Sequence, residues 1–148
     1  MNENLPRWIF ASICQHFEDT LGSGVTMYVE GYRRRTSDVA SFVELRIDGP
    51  NLSEPMGNET YIRVGVNILI QQNTETNSVH TYYELLGKVC AACTNIRVYK
   101  YGSGVGDDDC LLVCLSRGQG IEVRNYGQLK PEFTVQQGTV DALYKGAI

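Results

Sequence analysis

The chain has 148 residues, 43% of them hydrophobic and 20% charged, with a formal charge of −4 and a pI near 5.1. That length and balance describe one globular domain able to bury a core, and they exclude a disordered chain. The acidity argues against bulk nucleic-acid binding, which leaves a basic footprint, and no apolar run nears the ~20 residues of a membrane span.

The opening segment, Met1 to Trp8, lacks the basic region and apolar core of a signal peptide, so a protein made and kept in the cytoplasm is expected. Five cysteines in such a chain favour reduced thiols over a disulfide framework. Leu5 to Leu21 reads as a helix, because Ile9, Ile13, Phe17 and Leu21 form an apolar stripe. Asn4 is placed to cap it, Pro6 suits its first turn, and Gly22 with Gly24 marks the exit. Trp8 and Phe10 lie off the stripe and give this helix a second contact surface.

Val25 to Tyr32 and Val39 to Asp48 both alternate apolar and polar residues. They read as a long hairpin with Arg33, Arg34 and Arg35 near its tip. Asp48-Gly49-Pro50 then breaks the strand, and Asn51 to Glu59 reads as a loop. Thr60 to Ile70 carries the strongest signal in the chain. Ile62, Val64, Val66, Ile68 and Ile70 fall on alternate positions, so one face of a strand is buried, as the third member of an antiparallel meander. Gln71 to Asn77 is polar and without period.

Ser78 to Asn95 is a second helix with Val79, Tyr82, Tyr83, Leu86, Val89, Cys90 and Cys93 on a broad apolar face. Ile96 to Tyr101 places Ile96 and Val98 on one side and Tyr99 and Tyr101 on the other. Gly102 to Asp109 is a loop, and Cys110 to Ser116 is an apolar run of the kind that is covered on both faces. Ile121 to Tyr126 and Thr139 to Gly146 complete the strands. The order α-β-β-β-α-β-β-β(-β) predicts a single α+β domain over residues 1–148, two helices packed on one face of a mainly antiparallel sheet.

No catalytic motif stands out, and neither an enzyme, a cofactor nor a resident metal is expected. Cys90 and Cys93 with Cys110 and Cys114 have tolerable zinc spacing, yet they fall inside a helix and an apolar strand, where cysteine behaves as a small core hydrophobe. His16 reads as a boundary residue and His80 as exposed, neither beside a nucleophile pattern. Gly102 to Gly106 has no following helix or lysine to hold phosphate. Asp107, Asp108 and Asp109 read as a solvated acidic turn, lacking the spacing of a calcium loop. The arginine run is either a solvated tip or a dock for an acidic neighbour. Tyr28, Tyr32, Tyr61, Tyr99 and Tyr101 lie opposite the predicted core, and with Arg63 they form a candidate subunit interface, since interfaces are enriched in tyrosine and arginine.

Taken together, the helix ending near Leu21, the Val43–Pro50 strand, Tyr61 to Ile70 leading into a second helix, and the β-rich half containing Val98-Tyr99-Lys100-Tyr101-Gly102 resemble the tail terminator (tail-completion) proteins of long-tailed bacteriophages. The likeness is one of element order and texture over most of the chain. It implies a structural virion protein, a ring commonly of about six subunits, that stops tail-tube polymerisation and presents the head-attachment surface. Its partners would be copies of itself, the tail tube protein and the head connector or neck protein. Genome DNA would pass through without sequence-specific binding, and no membrane would be involved. Assembly would take place in the host cytoplasm. Other neck and head-completion connectors share such folds, and a small-ligand-binding or enzymatic α+β domain is the rival class. On the terminator reading, Arg33 to Arg35 and Asp107 to Asp109 contact a neighbouring subunit or the tube.

Overall fold

Residues 1–30, 41–55, 57–73, 79–100, 110–130 and 133–148 are described by the computed structural model. The elements are α1 (Leu5–Leu21), β1 (Met27–Val29), β2 (Ser41–Ser53), β3 (Tyr61–Asn73), α2 (Val79–Ala92), β4 (Ile96–Tyr99), β5 (Leu111–Arg117), β6 (Glu122–Lys130) and β7 (Phe133–Ala147). The strands form one curled sheet in the order β1-β2-β3-β7-β5-β4, with β6 also beside β7. This is the predicted α+β class and element order.

The alternation of β3 does what its sequence demands. Ile62, Val64, Val66, Ile68 and Ile70 are all buried, and their neighbours point to the other face. The core joins them to Ile9, Ile13 and Phe17 of α1, Tyr82, Leu86 and Val89 of α2, and Val140, Ala142 and Tyr144 of β7. Each aliphatic side chain removed from water contributes about 1.5–3 kcal/mol, so this five-residue row is a large share of the fold's driving force. α1 has its predicted bounds, with Gly22 at φ 77 leaving the helix. Its entry differs, because Asn4 makes no capping bond; instead the Asn4 N–H donates to Asn2 Oδ1 at 2.9 Å. Trp8 joins the core, and only Phe10 is left exposed.

Four expectations are corrected. The predicted hairpin of the first two strands is absent: β1 runs parallel to β2, with Met27 opposite Val43 and Val29 opposite Leu45. A tight turn cannot join parallel neighbours, and alternation within a strand carries no information about its partner's direction. Second, Asp48-Gly49-Pro50 does not end β2. Asp48 pairs with Gly65 and Asn51 with Arg63, so Gly49 and Pro50 form a bulge and the strand continues to Ser53. A bulge is where a proline without an N–H fits a strand. Gly49, at φ 105, stands so close to the Asn51 nitrogen that a Cβ would lie 3.0 Å from it.

Third, β5 is not covered on both faces. Only Leu115 of this strand is buried, whereas Leu111 and Cys114 are exposed. Both helices pack on the other side of the sheet, so a continuous apolar run here marks no second covered face. Fourth, β3 does not close an antiparallel meander of three strands, since β1 and β2 are parallel and β3 lies between β2 and β7. Its second neighbour is the C-terminal β7, paired in register from Tyr61 with Ala147 to Asn73 with Val135. The β6–β7 pair, spanning residues left unassigned between Tyr126 and Thr139, contains two register shifts that disrupt any two-residue period.

Candidate interaction face of the central sheet

The face opposite the helices is built from every second residue of β2, β3, β7 and β6. Register sets these side chains in rows across the strands. One row is Asn51, Arg63 and Lys145, continued by Ser116 of β5. Two positions along lie Asp48, Gly65 and Leu143. The next row is Arg46, Asn67, Asp141 and Glu122. Gly65 carries no side chain, and a groove of about 570 Å3 opens over it, lined by Asp48, Asn67, Glu122, Asp141, Leu143 and Lys145.

Two of these cross-strand matches bring like charges face to face. Arg63 and Lys145 are both exposed and directly opposite, and the exposed Glu122 is directly opposite the half-buried Asp141 at the other side of the groove. Like charges in that position oppose sheet formation. The acidic pair is partly offset, since Arg124 Nη2 lies 2.9 Å from Glu122 Oε1 and Asn67 Nδ2 donates to Asp141 Oδ1. Arg124 is accordingly held more firmly protonated, chiefly by its bond to Glu122. The face therefore carries a basic row and, beyond Asp48, Gly65 and Leu143, a row whose acidic pair lies along from Arg46.

Of the residues singled out from sequence, Tyr61 and Arg63 lie on this face. Tyr61 is 44% exposed and donates to Glu59 Oε2 at 3.0 Å, which raises its pKa. Tyr28 and Tyr99 do not join them. Tyr28, on β1, is half-buried and stacks edge-on against Phe42 at 5.6 Å. Tyr99, on β4 at the opposite end of the strand order, is half-buried, and its N–H donates to Ser12 Oγ of α1 at 3.0 Å. Tyr32, Arg33, Arg34, Arg35, Tyr101, Asp107, Asp108 and Asp109 lie outside the described residues. Sequence reasoning missed Lys145, Glu122 and Asp141, whose signal is their pairing with residues distant in the chain. It also placed Tyr83 in the core, yet Tyr83 is 50% exposed, just beyond the edge of the α2 stripe.

The groups weighed for chemistry are occupied structurally. His16 Nε2 lies 2.9 Å from the Ala92 carbonyl oxygen, tying α1 to the end of α2. Arg117 Nη1 donates to the Cys93 carbonyl at 2.9 Å, and the Cys93 thiol donates to the Val89 carbonyl at 3.3 Å. The Tyr144 hydroxyl lies buried, outside hydrogen-bond geometry with any described residue, and burial raises its pKa. Burial likewise raises the Cys90 thiol, the reverse of what activates a nucleophile.

The cysteines do not behave as one set. Cys93 is buried and Cys14 and Cys90 are half-buried, but Cys110 and Cys114 are exposed, which corrects their reading as core residues. A thiol-reactive dye should therefore label Cys110 and Cys114 in the native protein and reach Cys93 only after denaturation, as peptide mapping would report. Burial with nearby Glu18 pushes the Cys14 thiol up to about 11, and burial with Cys90 does the same for Cys93, from an ordinary 9.0. Between these values the unfolded chain has released protons that the folded chain still holds. Stability should thus be steady below pH 9 and fall as pH rises from 9 through 11. Urea midpoints across that window would check this, with a shallower fall expected for Cys14→Ala/Cys93→Ala.

No family model matches this chain, and neither does any curated protein.

Proposed function

We propose that this chain is a tail terminator of a long-tailed phage, a structural subunit that closes into a ring on the end of the tail tube. The ring stops tube polymerisation and offers its far side to the head connector. The observation that carries the reading is this sheet face, with Arg63 opposite Lys145 and Glu122 opposite Asp141. A monomer gains nothing from either match, and each opposes strand pairing. In an assembly, the basic row of one subunit would meet the acidic row of the next. Such a contact is heterologous, joining two different patches, and closes into a ring when its rotation does. The element order supports the same reading through its resemblance to the terminators. The exposed Tyr61 beside Arg63 adds the residue types that dominate interface energies.

Sedimentation at graded ionic strength tests this mechanism. Exposed charge contacts weaken as the Debye length shrinks from ~10 Å at 0.1 M salt to ~3 Å at 1 M. An oligomer present at low salt should dissociate towards subunits at high salt. An oligomer indifferent to salt would remove the charged rows from the interface.

A further inference from the structure

We propose that the groove between β1 and the C-terminal end of α1 receives an extended, basic segment of a partner protein, which adds to β1 as a further strand. This inference is independent of the ring reading.

Two hydrogen bonds establish the geometry of β1. The Val43 N–H donates to the Thr26 carbonyl, and the Glu30 N–H donates to the Leu45 carbonyl, each at 2.9 Å. In a parallel ladder, alternate residues turn both their N–H and C=O to the same side. Thr26, Tyr28 and Glu30 therefore face β2, while Met27 and Val29 turn theirs away from it. Among the described residues no strand pairs with that edge. The other terminal strand is treated differently, since the Tyr99 N–H of β4 is taken by Ser12 of α1. An open edge is a template for pairing unless something covers it.

That edge, unpaired among the described residues, faces a groove of about 770 Å3 whose lining includes Val25, Met27 and Val29 from the strand side and Glu18 and Asp19 from α1. Those two carboxylates are exposed and occupy the last turns of the helix, where no basic residue is present. The helix C-terminus is already the negative end of its macrodipole, where lysine or arginine normally sits. A strongly negative wall beside unpaired backbone and apolar side chains calls for one kind of ligand. It is an extended chain that supplies main-chain hydrogen bonds and, at the alternate positions that face α1, lysine or arginine whose aliphatic stems cover Met27 and Val29 while their charges reach Glu18 and Asp19.

The test uses the full chain and a labelled heptapeptide of alternating lysine and valine, with binding followed by fluorescence anisotropy. The peptide should bind, and the Met27 and Val29 amide signals should shift in nuclear magnetic resonance spectra. Glu18→Lys/Asp19→Lys, which suits the helix end and so preserves folding, should weaken binding by at least about tenfold. The remote control Glu3→Lys/Glu84→Lys should leave it unchanged. Methylating the valine amides or the lysine amides of the peptide, one set of which must face β1, should in one of the two cases weaken binding by about tenfold. The proposal is overturned if the peptide fails to bind, if a glutamate-for-lysine peptide binds as well, or if both methylated peptides bind as tightly as their parent. Self-association abolished by Glu18→Lys/Asp19→Lys would overturn it too, by making a second copy of this chain the occupant.

Discussion

Gly138→Ala is expected to lower the unfolding free energy by about 3 kcal/mol, through overpacking and a broken, part-buried hydrogen bond. Gly138 lies on β7 where β6 and α2 both close upon it. A methyl group there would collide with the Tyr82 hydroxyl and stand 2.9 Å from the Arg124 carbonyl oxygen and 3.1 Å from Asn125 Oδ1. The Tyr82 side chain is fully buried, and its hydroxyl donates to Asn125 Oδ1 at 2.6 Å, linking α2 to β6. The added carbon must therefore push apart a helix, a strand and the bond between them. Tyr82→Phe alone should cost about 1 kcal/mol by removing this bond, since the exposed Asn125 then turns to water. Combining the two should cost less than the sum, because the removed hydroxyl is what the methyl meets first. Urea unfolding of the four proteins measures the cycle. Simple additivity would mean that Gly138 is needed for its backbone and not for its space.

Reversing the basic row, Arg63→Glu/Lys145→Glu, should abolish oligomer formation while leaving the unfolding midpoint of the subunit nearly unchanged. Both residues are exposed and make no described salt bridge within the chain, so the folded subunit loses little. Each like-charge approach across an interface costs on the order of several kcal/mol, enough to disperse a contact of ordinary strength. Glu122→Lys/Asp141→Lys should fail in the same way, and Asp141 exacts a further cost by releasing Asn67. The informative variant carries all four changes. If the basic row of one subunit meets the acidic row of another, the double reversal restores the attraction and the oligomer returns. Persistent loss of assembly with a folded subunit would show that these rows do not meet.

What could be read from the sequence was whatever depended on near neighbours along the chain. Ile62 to Ile70 declare a one-faced strand by their spacing, and Pro6 in the first turn with Gly22 just past the end delimits α1. Direction and partnership are set at longer range and could not be read. Nothing within Met27 to Val29 says that β2 will lie parallel to it, and nothing near Ile70 says that its neighbour begins beyond residue 130. The charged face was hidden for the same reason. Arg63 is unremarkable until register sets Lys145 opposite, and Glu122 until it meets Asp141. Cys114 illustrates a different limit: its apolar neighbours signal burial, but both helices occupy the other side of the sheet, leaving it in solvent. Tyr61 and Arg63 were the two candidate residues that local alternation alone could place on this face.

The most direct test of the account is native mass spectrometry of the intact chain, alone and mixed with tail tube protein, paired with negative-stain images of the same samples. A terminator should appear as a closed ring of roughly six subunits, each of 16.5 kDa, seated on tube ends. A monomer or dimer in both samples, with tubes growing unchecked, would contradict it.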